Sequence, residues 1–197
     1  YRQLAGGVTC AQLLHGSANP IGGQSAIVKF RWGSLPNELL YEDASPFIKF
    51  ALGENVKQSN WGDAQKVRFP QSRMGVEQVF YDLFIRAREY GESFISYRHE
   101  LANTKKRDLK AGLGPVEPRH DLELDVLLQI LREERFVTCH SYRQDEINML
   151  MHVADSMNFR LNTFTHILEG YKVADKMKEH GAGGSTFSDW WAYKYEV

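Results

Sequence analysis

Short apolar runs alternate along this chain with longer amphipathic stretches. Residues 7–14, 25–32, 47–52, 136–141 and 160–166 read as strands, with a sixth over 183–190. Helical spacing marks residues 74–90, where Val76, Val79, Phe80, Leu83, Phe84 and Ala87 share one face. Helices are also predicted over 121–133, 145–157 and 171–180, the last stopped by Gly181. A short helix is read over 36–42, and a polar loop with Asn55, Asn60, Trp61 and Gly62 follows the third strand. From about 96 to 118 the chain turns polar and carries Lys105, Lys106, Arg107 and Lys110. That stretch reads as an excursion from, or a helical extension of, a single domain over residues 1–197.

Strand followed by helix, repeated, argues for a parallel sheet. An open doubly wound sheet and a closed barrel both fit. No GxGxxG follows the first strand, and HGSANPIGG lacks the GK[ST] of a phosphate loop, which weakens the nucleotide-binding version. A complete (β/α)8 barrel takes about 250 residues. Six strand-like runs in 197 residues therefore predict most of a barrel, with strands missing at one or both ends.

Three polar residues interrupt the apolar runs, each near a strand's C-terminal end: Lys49 in FIKFAL, His140 in FVTCHSY and His166 in RLNTFTHILEG. Side chains alternate between the faces of a strand. Phe47, Lys49 and Ala51 thus share one face, and Ile48, Phe50 and Leu52 form a fully apolar one suited to outer helices. His140 is expected on a face with Phe136 and Thr138, and His166 on a face with Asn162 and Phe164. Taken singly, the lysine reads as a snorkelling side chain and each histidine as a hydrogen-bonded core imidazole. Taken together, at the end of the strands where barrel enzymes place their chemistry, they read better as a metal site. Cys10 and Cys139 form neither a disulfide framework nor a zinc knuckle and read as small buried hydrophobes. Cys139 neighbours His140 in sequence but should face the other way.

Composition changes little. Hydrophobic residues at 43% and charged residues at 25% are those of an ordinary soluble globular domain. A net charge of −1 gives no reason to expect a nucleic-acid partner, and no apolar run is long enough for a bilayer. The chain opens at Tyr1, so it is expected to be a piece of something longer. Its location stays open, with secretion or a periplasm compatible, as is a homo-oligomer.

The chain resembles the amidohydrolase superfamily of metal-dependent hydrolase barrels, most closely its imidazolonepropionase-like and prolidase-like branch. The segments that carry the likeness are GGVTCAQLLHGSANPIGGQSAIVKFRWG, FIKFALGENVKQSNWGD, RFPQSRMGVEQVF, FVTCHSY and NTFTHILEGYKVADKMKEHGAGGSTFSDWW. The resemblance implies a partial (β/α)8 TIM barrel, about strands two to seven. It implies that Lys49 is the fourth-strand lysine, converted by carbon dioxide to a carbamate that bridges two divalent metals. His140 would be the fifth-strand ligand and His166 the sixth-strand ligand. Imidazole nitrogens suit zinc. The implied reaction is hydrolysis of an amide, peptide or cyclic amide C–N bond by a metal-activated hydroxide, on a small-molecule or peptide substrate.

Two parts of the family pattern are absent: the first-strand HxH pair and the eighth-strand aspartate that serves as base. No catalytic base is therefore assigned, Asp189 is not given that role, and the piece is expected to be inactive alone. Weaker substrate-side candidates are His15 and Asn19 in the HGSANPIGG loop, and Tyr142 and Arg143 just past His140. Glu169 lies just beyond His166, and Trp61, Trp190 and Trp191 are candidate pocket walls. Two other classes stay open. One is a metal-free glycosidase using Glu54 and Glu169, which leaves Lys49, His140 and His166 unexplained. The other is a non-catalytic, barrel-derived binding or scaffold module of a larger protein.

Overall fold

In the computed structural model, residues 1–57 and 68–187 are described. In chain order they form α1 (Arg2–Ala5), β1 (Cys10–Leu13), β2 (Ile21–Lys29), a 3-10 turn (Pro36–Leu39), β3 (Phe47–Ala51) and α2 (Glu54–Lys57). There follow α3 (Arg73–Asn103), α4 (Lys106–Lys110), α5 (Leu122–Leu131), β4 (Phe136–His140) and α6 (Gln144–Met157). Last come β5 (Thr163–Thr165), a second 3-10 turn (Gly170–Val173), α7 (Ala174–His180) and β6 (Gly183–Ser185). The described strands make one sheet in sequential order β1-β2-β3-β4-β5-β6, curled as a half-barrel.

The sheet is mixed, which corrects the all-parallel expectation. β2 pairs antiparallel with both β1 and β3, and only the pairings from β3 to β6 are parallel. The connections explain why. A parallel pair needs a crossover of a dozen or more residues, usually helical. Only residues 14–20 join β1 to β2, and residues 30–46 hold nothing longer than a 3-10 turn. β3, β4 and β5 are each followed by a helix, and pairing from β3 to β6 is parallel.

Register puts the apolar face where alternation predicts it. Phe50 pairs with Cys139, and Cys139 with Phe164; all three are fully buried. Phe50 meets Phe80 and Phe84 of α3 at ring distances of 5.3 and 6.2 Å, and Phe84 stacks on Phe159 at 4.2 Å. Leu124, Leu127 and Ile130 of α5, and Ile147, Leu150 and Val153 of α6, belong to the same core.

Helix α3 is far longer than predicted and absorbs the start of the polar excursion. Its sequence past Tyr90 holds no proline, so nothing stops the helix before Thr104. Ser72 caps its start, its hydroxyl accepting from the Gly75 N–H at 3.1 Å. Helix α7 ends at Gly181, whose φ of 84° is the left-handed conformation that the predicted stop requires. The first and fifth strands are shorter than predicted, and the 36–42 helix is a 3-10 turn. Asn60, Trp61 and Gly62, and Asp189, Trp190 and Trp191 with the end of the sixth predicted strand, lie outside the described residues. Among the described residues no helix is long and apolar enough to cross a membrane.

Phe50 touches three aromatic rings at the centre of this core. Phe50→Ala is expected to lower unfolding free energy by about 3–5 kcal/mol, measured by urea titration followed by circular dichroism.

Candidate metal centre

Opposite the apolar row runs a polar one. Lys49 pairs with Thr138 and Thr138 with Thr163; Ala51 pairs with His140 and His140 with Thr165. Paired residues in a parallel ladder point to the same face. Lys49 and His140 therefore share the concave face, one strand apart and two residues out of step. Both are buried, at 7% and 4% exposure.

His166 departs from the face that alternation assigns it. Phe164 lies in the outer core, so an extended residue 166 would follow it under the helices. Instead His166 adopts φ 44°, a left-handed conformation costing a non-glycine residue on the order of 1–3 kcal/mol. The ring then lies 4.4 Å from that of His140, nearly perpendicular at 76°. The two imidazoles are thus together, though not by the route that strand periodicity suggests.

The surroundings hold them there. Tyr142, 1% exposed, sets its ring 4.7 Å from His140 and 5.5 Å from His166. Phe187 lies 5.6 Å from His166 on another side. The strand exits are stitched by backbone bonds: Leu52 N–H to the His140 carbonyl (2.9 Å), Ser141 N–H to the Thr165 carbonyl (3.3 Å) and Glu169 N–H to the Tyr142 carbonyl (2.9 Å). The Glu169 carboxylate accepts from the Gln144 N–H at 2.9 Å and pairs with Lys172. These two contacts, the Lys172 ammonium first, hold the Glu169 carboxyl below its ordinary value of 4.5.

The loop after β1 closes over Lys49. The Lys49 ammonium donates to the His15 carbonyl at 2.6 Å. Burial pulls the Lys49 pKa down from its ordinary value, because a charged amine loses hydration there. Cys139 opposes this as the smaller effect, and burial pushes its own thiol pKa up. The His15 ring bonds the Gly16 carbonyl at 2.6 Å and accepts the Gly23 N–H, which assigns its proton to Nδ1. It rests over Gly22, where an added Cβ would lie 2.2 Å from the ring and 2.9 Å from the Lys49 carbonyl. Asn19 is exposed on the same loop. Arg143 turns to Asp145, which it holds at 2.9 and 3.0 Å.

One cluster escaped the sequence reading. Glu146, 4% exposed in the first turn of α6, meets Arg73 at 2.9 Å; Arg73 also reaches Glu54 at 3.4 Å, and Lys57 pairs with Glu54 at 2.5 Å. This network joins the segment leaving β3 to the start of the helix leaving β4. A glutamate beside Ile147 in an amphipathic helix was the available signal, but a first-turn carboxylate reads equally well as dipole compensation.

As a donor set, the concave face offers two imidazoles and one amine. Among the described residues no group of three His, Cys, Asp or Glu could hold a metal ion by itself. The set fits a metal only as part of a centre, with nitrogen donors that suit zinc and an amine whose burial favours its neutral form.

No family model matches the chain. It is 27% identical to Amidohydrolase tasK of Hapsidospora irregularis over 208 residues, covering 98% of this chain and 20% of that protein. It is also similar to the crystal structure of an amidohydrolase from Thermotoga maritima MSB8. The TM-score is 0.77 at 29% identity, over 99% of this chain and 46% of that one. Both relatives are amidohydrolases by name. The likeness to the solved structure is one of fold. The chain spans about a fifth of the curated relative and under half of the solved one.

Arg73→Ala is expected to destabilise the protein by about 1.5–3 kcal/mol in urea unfolding, because it removes the cation paired with buried Glu146. Glu169→Gln tests linkage. A depressed carboxyl pKa adds stability above the ordinary glutamate value, and that stability is lost as pH falls through the folded-state value. The urea midpoint of the wild type should therefore exceed that of E169Q at neutral pH, and the gap should close below the ordinary value of 4.5.

Proposed function

We propose that this chain supplies part of the metal centre of a hydrolase that cleaves amide, peptide or cyclic amide C–N bonds. The observation that carries the reading is the His140–His166 pair: two imidazoles 4.4 Å apart at adjacent strand ends, one held in a strained backbone conformation. Strain of this kind gathers at functional sites. The amidohydrolase relatives add independent support. On this reading the parallel strands β3 to β6 are part of a (β/α)8 barrel, about strands four to seven, of the imidazolonepropionase-like or prolidase-like branch.

His140 and His166 would hold a divalent ion, zinc by preference, through ring nitrogens. Lys49 would contribute as its carbamate. Its neutral amine adds carbon dioxide and releases one proton, giving two oxygens and a negative charge suited to bridging two cations. Bound there, divalent metal supplies Lewis acidity toward the scissile carbonyl and lowers the pKa of water. The chain's own residues do the arranging. The His15 carbonyl orients the Lys49 amine, and Tyr142 packs both imidazoles. His15, whose carbonyl meets Lys49, and Asn19, exposed on the same loop, are the substrate-side groups, with Arg143 following Tyr142 in the chain.

The test is metal content and amidase activity of the purified full-length protein and of Lys49→Ala, His140→Ala and His166→Ala. Wild type should carry zinc or a similar ion and lose activity to a chelator. Each variant should lose on the order of a thousandfold or more, several kcal/mol of transition-state stabilisation at about 1.36 kcal/mol per tenfold. A Lys49→Ala protein that hydrolyses at the wild-type rate would sink the carbamate assignment. A full-length protein that is metal-free and inactive would favour a scaffold module.

A further inference from the structure

His166 keeps a left-handed φ of 44°, and something must hold it there. Three residues later Glu169 closes a double bridge to the segment that follows His140. Its N–H donates to the Tyr142 carbonyl and its carboxylate accepts the Gln144 N–H, both at 2.9 Å. Gln144 is the first residue of α6, and the residue before it, Arg143, makes no side-chain cap bond. Glu169 thus caps α6 from outside that helix. Its side chain is 13% exposed, with Lys172 on the other oxygen. The bridge begins two residues past one imidazole and ends three past the other.

We propose that Glu169 is a positioning residue that keeps the His166 ring turned toward His140. It acts through the backbone of Tyr142 and Gln144. An ordinary helix cap would stabilise α6 and leave the torsion at His166 untouched. The clamp sets that torsion. The inference deepens the metal reading above, and one of its two readouts is independent of metal.

The first readout is the three-bond HN–Hα coupling of His166 by NMR in metal-free protein, which reports φ. Wild type should show the left-handed value and Glu169→Ala an extended one. Glu169→Gln, which keeps an acceptor for the Gln144 N–H, should retain the wild-type coupling, as should Lys172→Met. The second readout is Co²⁺ affinity and the visible spectrum of the cobalt form. Glu169→Ala should lose roughly 10–100-fold in affinity, the usual effect of removing a group that orients a ligand, and its spectrum should change. A folded Glu169→Ala protein with the wild-type coupling overturns the clamp. If Glu169→Ala does not fold, Glu169→Asp, which draws the carboxylate back by one methylene, must show the coupling shift; an unchanged coupling there overturns it equally. Wild type that takes up no cobalt, with the shift present in Glu169→Ala, overturns the metal reading and supports the clamp.

Discussion

The packing of Phe50, Cys139 and Phe164 against the helices fixes the parity of the sheet. All three are fully buried and paired across β3, β4 and β5. A strand has period two, so placing these residues on the convex face leaves Lys49 and His140 only the concave one. Slipping one strand by a single residue would send its polar group under the helices and an apolar one into the site. The polar face is thus a by-product of the apolar one, and its accuracy is that of a packed core.

His166 lies where this arithmetic fails. Parity assigns it to the convex side with Phe164, and one left-handed residue overrides the assignment. The stitched exits of β4 and β5 make such an exception tenable, because neither segment can relax without breaking bonds to the other. The Arg73–Glu146 pair does comparable work between the exits of β3 and β4. The three candidate ligands therefore ride on strand ends tied laterally as well as through the sheet.

Much of this was legible in the sequence. Lys49 and His140 were readable because alternation within FIKFAL and FVTCHSY is strict and both strands persist. The convergence of His166 was anticipated, but its face was not, since φ at one position depends on contacts distant in the chain. The antiparallel start was missed although its signal was present: HGSANPIGG is too short and too rich in turn residues for a crossover helix. The length of α3 stays open in the sequence because a polar stretch reads equally as an excursion or as a helical extension, and without proline it extends a helix readily. Glu146 and Arg73 stay hidden because an ion pair between a half-buried arginine and a buried glutamate on two helices leaves no periodic trace.

Cys139 shows what parity does for a residue that carries no candidate role. It adjoins His140 in sequence yet faces through the sheet into the helical core, with its thiol kept protonated by burial. Cys10, by contrast, is exposed on β1. The two sulfurs thus differ in accessibility to an alkylating reagent for a purely geometric reason. Modification at Cys139 requires the helix layer to lift from the sheet, so its rate is a clock for opening of the core beside the site.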